Sequence, residues 1–216
     1  MENELKEIVF LLDNSGSMRG LETETMDEYN SLVENELKLN PNTIVTTVLF
    51  NKDLSFLNYR VKLENVQLLT EEDYKPKGKS ALLDAIRKTM KKIEESYIKL
   101  NFENMPEKIV FYIVSDGLDN ASMEYTYQDV EDEMSFVEDC YNWKFIFLGS
   151  DLPSLALKNG LSYRYDRAAC FQFESEESEL KYRKFIKYKL EIKKDLPDIP
   201  KWQLSVGRYT KDLNPK

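Results

Sequence analysis

Short, nearly unbroken apolar runs alternate along this chain with segments of helical periodicity. Glu7 to Leu12 and Lys108 to Val114 are apolar almost throughout, the pattern of strands covered on both faces in a parallel sheet. Between them, apolar or semi-apolar residues fall at 18, 21, 25, 29, 32, 33 and 37, mostly three or four apart, which predicts a first helix from Met18 to Leu37. Thr43 to Phe50 and Leu54 to Val61 are β-branched and aromatic runs separated by Asn51-Lys52-Asp53, a turn-prone trio that predicts a hairpin and one antiparallel strand. Ser80 opens the clearest helix, with Leu82, Ile86, Met90, Ile93, Tyr97 and Leu100 on one face.

Helical spacing returns at Tyr127, Val130, Met134, Val137 and Tyr141, and Lys144 to Leu148 predicts a further strand. Leu152 to Leu157 reads as a short helix, Ala168 to Phe173 as a sixth strand, and Glu177 to Ile192 as a last helix with Tyr182, Phe185, Ile186 and Leu190 inward. Beyond Pro197 an irregular tail is expected, with Trp202 to pin it. The alternation predicts one α/β layer fold.

Composition narrows the function. The 216 residues suit a single domain that buries roughly 70% of its unfolded surface. The chain has no histidine and two cysteines, Cys140 and Cys170, which excludes the common structural zinc sets and any hydrolase that needs an imidazole base. Both cysteines read as small buried hydrophobes in a reduced compartment. With 39 acidic and 30 basic residues the formal charge is -9, unfavourable for general nucleic-acid binding. From Lys181 to Lys194 seven basic residues face one acid, Glu191. That helix reads as a solvated face following the acidic stretch Glu174 to Glu179, with an anionic contact surface as the alternative. No apolar run is long enough for a bilayer, and the acidic start Met1-Glu2-Asn3-Glu4 is unlike a secretory signal. A cytoplasmic protein without membrane contact is expected.

The polar residues at the strand ends carry the chemistry. Asp13 and Asp116 each terminate a strongly apolar strand, and carboxyl ends of strands at a reversal of strand order form the usual ligand crevice of open α/β sheets. After Asp13, Ser15 and Ser17 repeat an oxygen-bearing side chain at every second position, with Gly16 permitting a tight loop. Two carboxylates and two hydroxyls, with nothing soft beside them, suit Mg2+ or Mn2+.

These residues resemble the von Willebrand factor type A (vWA) domains, whose metal-ion-dependent adhesion site (MIDAS) has the pattern Asp-x-Ser-x-Ser, then Thr, then Asp. Asp13, Ser15 and Ser17 match the first part. Gly78-Lys79-Ser80-Ala81-Leu82-Leu83-Asp84-Ala85 is similar to the threonine-bearing stretch, with Ser80 in the threonine place, and Val114-Ser115-Asp116-Gly117 matches the third part. Asn120-Ala121-Ser122 resembles the next segment of small prokaryotic and phage members. The resemblance runs from about residue 5 to 175 and implies a Rossmann-like vWA fold: a mostly parallel six-stranded sheet with one antiparallel edge strand and helices on both faces. The domain is expected over residues 1–195 and the tail over 196–216.

The resemblance further implies a metal held by Asp13, Ser15, Ser17, Ser80 and Asp116, the serines directly and the aspartates often through water. Neutral oxygens leave such an ion incompletely quenched, so that it attracts a Glu or Asp carboxylate from a protein partner. Serine at 80 keeps the hydroxyl and loses the methyl that restrains its rotamer. The resemblance also implies that the last helix shifts when ligand engages.

Ordinary roles exist for each residue. Ser15, Ser17 and Ser80 precede helices and could cap them, and Asp13 and Asp116 could serve strand-end turns. Asp84 lies in a first helical turn, where the dipole favours it. Asp119 caps or solvates its loop, with a supporting contact near the ion as the alternative. Gly78-Lys79-Ser80 imitates the end of a phosphate-cradling loop, but Asp73 stands where that loop needs glycine and no buried strand leads into it. An aspartyl phosphatase using Asp13 as nucleophile would carry a second aspartate where Ser15 stands. The expected function is therefore a metal-dependent protein-binding module with no small-molecule substrate. The alternative is a phosphatase or nucleotide hydrolase centred on Asp13 or Lys79.

Overall fold

The computed structural model describes residues 5–98, 100, 105–115, 119–149 and 168–170. Its elements run β1 (Lys6–Asp13), α1 (Glu22–Leu39), β2 (Thr43–Phe50), β3 (Leu54–Lys62), α2 (Leu82–Tyr97), β4 (Lys108–Val114), α3 (Tyr127–Tyr141), β5 (Trp143–Gly149) and β6 (Ala168–Cys170), with single 3-10 turns at Gly16–Met18 and Leu63–Asn65. The sheet order is β3-β2-β1-β4-β5-β6. β1 pairs in parallel with both β2 and β4, β4 with β5 and β5 with β6, while β3 runs antiparallel to β2. After β1 the chain places β2 on one side and later returns to place β4 on the other, so the strand order reverses between β1 and β4. Their carboxyl ends, at Asp13 and Val114, flank the crevice that such a reversal opens.

Strand alternation divides the core. Ile8, Phe10 and Leu12 of β1 cluster with Met26, Tyr29, Leu32 and Val33 of α1, whereas Val9 and Leu11 cluster with Leu83, Ile86 and Met90 of α2 and Val130 and Met134 of α3. Consecutive β1 side chains thus point to opposite sides and both find apolar cover, which explains the unbroken apolar run. Phe10 packs edge-on to Tyr29 with ring centroids 4.8 Å apart, and Phe111 stacks on Trp143 at 5.2 Å. Each such ring, fully buried, contributes about 1.5–3 kcal/mol.

Four expectations about helices change. α2 runs only from Leu82 to Tyr97 and so stops short of Leu100, which the periodicity placed on its face. The first helix starts at Glu22 instead of Met18, because the chain first makes the 3-10 turn and then passes through Gly20 at φ 89°. Leu37, expected inward, is 43% exposed. Its neighbour Glu36 turns in instead and pairs with Lys6 Nζ at 2.6 Å. Tyr141, at the last position of α3, is likewise 42% exposed. The expected helices at 152–157 and 177–192, Trp202 and the tail 196–216 lie outside the described residues.

The edge strand has its own anchor. β3 alternates half-buried and exposed positions over most of its length, and a register irregularity of the β2–β3 pair falls where Arg60 adopts φ 52°. From there Arg60 Nε lies 3.3 Å from Glu7 Oε2, a fully buried carboxylate that also accepts the Tyr97 hydroxyl. One acid thereby ties β1, β3 and α2 together. Burial pushes the Glu7 carboxyl above its ordinary range despite Arg60 and Tyr97, which pull the other way.

Candidate metal centre

Two loops meet beyond the end of β1. The β1 ladder ends at Asp13, and Asn14 N–H continues the contact to Phe50 O at 2.6 Å. The loop then turns back so that Gly16 N–H donates to Gly78 O and Lys77 N–H to Asn14 O, each at 2.9 Å. A Cβ on Gly16 would sit 3.1 Å from Gly78 O, tighter than ordinary contact, so glycine is what lets the loops touch. Gly78 itself has φ 77°, a conformation glycine adopts without strain. The buried Tyr74 hydroxyl donates to Asp13 O, adding a side-chain clasp.

These contacts deliver hydroxyls to one carboxylate. Asp13 Oδ1 accepts Ser15 N–H at 2.8 Å. Asp13 Oδ2 accepts Ser80 Oγ at 3.0 Å and Ser115 Oγ at 2.7 Å. Ser15 Oγ and Ser17 Oγ lie 3.0 Å apart. Asp13 and Ser80 are fully buried and Ser15 nearly so, whereas Ser17 is exposed, so the oxygens run from the interior to the surface. Burial raises the Asp13 carboxyl above its ordinary range, and hydrogen bonds from Ser115, Ser15 and Ser80 offset part of that.

The serines are not spent as caps. Neither the 3-10 turn after Ser15 nor α2, whose N-cap is Ala81, has a side-chain cap bond. Of the five residues predicted for the metal, the structure brings Asp13, Ser15, Ser17 and Ser80 together. Asp116 lies outside the described residues, one residue beyond Ser115. Among the described residues no three carboxylate, cysteine or histidine side chains cluster to hold an ion. Among the described residues, the groups that a cation here would meet are hydroxyls beside Asp13. That all-oxygen donor set suits Mg2+ or Mn2+, and the Asn14 Oδ1 atom, buried without a hydrogen-bond partner among the described residues, adds a further hard oxygen to the loop.

Sequence reasoning missed three supports. Ser115 sits beside the strand-end aspartate in the motif itself, yet its bond to Asp13 spans 102 residues and only the fold reveals it. Asn120 holds Ser80 reciprocally, its Oδ1 accepting Ser80 N–H and its N–H donating to Ser80 O, both at 3.0 Å. Asp84 does more than complement the dipole of α2. Its buried carboxylate accepts the N–H groups of Met123, Glu124 and Tyr125 at 3.1–3.2 Å and so fastens the loop after β4. Asp119 caps and braces that loop as expected, accepting Ser122 Oγ at 2.6 Å and, more weakly, Leu83 N–H at 3.5 Å.

No protein-family model and no curated protein matches the sequence. Solved structures do share the fold. The manganese-loaded Plasmodium vivax TRAP protein superposes with a TM-score of 0.50 at 18% identity, over 78% of this chain and 68% of that one. A point mutant of the PilB minor pilin from Streptococcus sanguinis gives 0.55 at 14%, over 94% and 63%. Proximal thread matrix protein 1 from the mussel byssus gives 0.52 at 12%, over 88% and 46%. This chain spans less than two thirds of the pilin and matrix-protein chains.

Proposed function

From a fold of the von Willebrand factor type A kind, we propose that this chain is a divalent-metal-dependent protein-interaction module that captures a partner's Glu or Asp carboxylate. We read its frame as a mostly parallel six-stranded sheet with β3 as the antiparallel edge and helices on both faces. Asp13, Ser15, Ser17, Ser80 and Asp116 would hold Mg2+ or Mn2+. When bound, the ion supplies an incompletely quenched positive centre with an open coordination position.

The observation that carries this reading is the convergence of Ser15, Ser80 and Ser115 on the buried Asp13 carboxylate, on loops fastened by paired glycines. A buried carboxylate is costly unless a cation compensates it. The protein's own groups prepare the site: Asn120 fixes the Ser80 backbone, Ser115 orients Asp13, and exposed Ser17 leaves one side open to an incoming acid. The manganese-loaded state of a structural neighbour supports the choice of ion.

The reading is non-catalytic. Lys79 is exposed, and β3 ends at Lys62, far ahead of Gly78, so a strand does not feed that loop as phosphate binding requires. Among the described residues no helix is long and apolar enough to cross a membrane, and Cys140 is buried. We place the module in the cytoplasm.

Affinity capture from native lysate tests the proposal. A partner should be retained in magnesium, released by chelator and lost with Asp13→Ala. Equal retention under all three conditions would overturn it.

A further inference from the structure

The loop that carries Ser80 has a second face. From Tyr74 to Ser80 the even residues turn toward the Asp13 loop: Tyr74 through its hydroxyl, Pro76 through a carbonyl that accepts Arg19 Nε at 3.4 Å, Gly78 through its carbonyl, and Ser80 through Oγ. The odd residues, Lys75, Lys77 and Lys79, are all exposed. None of the three forms an ion pair within 4 Å among the described residues. A protein of net charge -9 thus keeps three lysine side chains at alternate positions on a loop held by five cross-contacts, the fifth from the backbone N–H of Lys77 to Asn14 O, immediately beside its candidate metal centre.

The surroundings set a direction along this ladder. At the Lys75 end a cavity of about 420 Å³ is lined by Arg19, Glu22, Glu71, Tyr74 and Lys75, with Glu72 and Asp73 next to it in the chain, so charge there is mixed. Lys77 and Lys79 lie at the other end, next to Ser80. Like-charge repulsion from Glu22, Glu71 and Asp73 steers an anionic chain toward Lys77 and Lys79.

We infer that the partner presents an acidic segment, one carboxylate for the metal followed by further Asp or Glu residues that lie along Lys77 and Lys79. This rests on the metal-dependent reading for the first carboxylate only. The ladder supplies on-rate and choice among carboxylate-bearing partners, as complementary exposed charges do. A peptide is favoured over nucleic acid because the rest of the molecule repels a phosphate backbone, whereas a short acidic stretch meets only this loop.

Fluorescence anisotropy with two labelled synthetic peptides tests it: one with a single Glu among Ser and Ala, the other with that Glu followed by three more. In magnesium at low salt the wild type should bind the acidic peptide about tenfold more tightly than the single-Glu peptide, and the difference should shrink as salt rises. The double variant Lys77→Gln/Lys79→Gln should lose that preference while still binding magnesium with an unchanged melting temperature. A preference that persists in the double variant overturns the inference, as does failure of both peptides to bind. Lysine-dependent binding of the acidic peptide that survives chelator and Asp13→Ala keeps the ladder and removes the metal reading. A single-stranded oligonucleotide that competes as well as the acidic peptide would assign the loop to nucleic acid instead, and magnesium-dependent dimerisation lost in the double variant would assign it to a second copy.

Discussion

At the scale of single residues the account turns on Asp13, a carboxylate removed from water and answered, among the described residues, by hydroxyl and amide donors. Burial is the largest influence on its ionisation and disfavours the charge. Without added metal, Asp13→Asn should therefore match or exceed the wild type in stability at neutral pH, by about 1 kcal/mol in a denaturant melt. Adding magnesium should reverse the order, since only the carboxylate gains a counter-charge. A variant that is less stable in both conditions would mean that the hydrogen bonds alone compensate Asp13. Asp13, Ser15 and Ser17 are legible in the sequence because their spacing from a strand end and a glycine is local, whereas Ser80 is legible through the resemblance of its stretch to the vWA pattern. Ser115 and Asn120 were not, because their value lies in partners 102 and 40 residues away, and chain order alone does not say which polar residues will face one another.

At the scale of elements, α2 and the loop after β4 act as one piece through Asp84. Asp84→Ala would leave the N–H groups of Met123, Glu124 and Tyr125 without their acceptor, and because Met123 and Glu124 are exposed and water can reach them, a loss of about 1 kcal/mol is expected by chemical denaturation. The same variant should weaken magnesium binding, because Asn120 belongs to the loop that Asp84 fastens. Unchanged stability would show that water replaces the carboxylate. The Glu7 anchor makes a prediction about pH. A folded-state value raised above the unfolded 4.5 means that the native state holds the proton more tightly, so stability falls as pH climbs from 4.5 through the raised value. Thermal melts of the wild type should show that decline, and Glu7→Gln should flatten it. Strand β4 was legible to the residue because burial on both faces makes its apolar run continuous, whereas α1 began late because the turn through Gly20 is a backbone choice that periodicity does not encode. The role of Glu7 is not legible, because one acid at the start of an apolar run gives no sign that Arg60 and Tyr97 will close over it.

At the scale of the whole molecule, the reversal of strand order between β1 and β4 explains why residues from three distant segments share one crevice. The sheet holds the strand ends in place, and the loops need only reach across. A ligand that binds only the folded state adds about 2.7 kcal/mol at a hundredfold excess over its dissociation constant, so a metal seated here would stabilise the fold as well as create the binding surface. The most direct test is isothermal titration of Mg2+ and Mn2+ into the wild type and Asp13→Ala. The account predicts one saturable site in the wild type and no measurable binding in the variant. Indistinguishable titrations of the two proteins would contradict it.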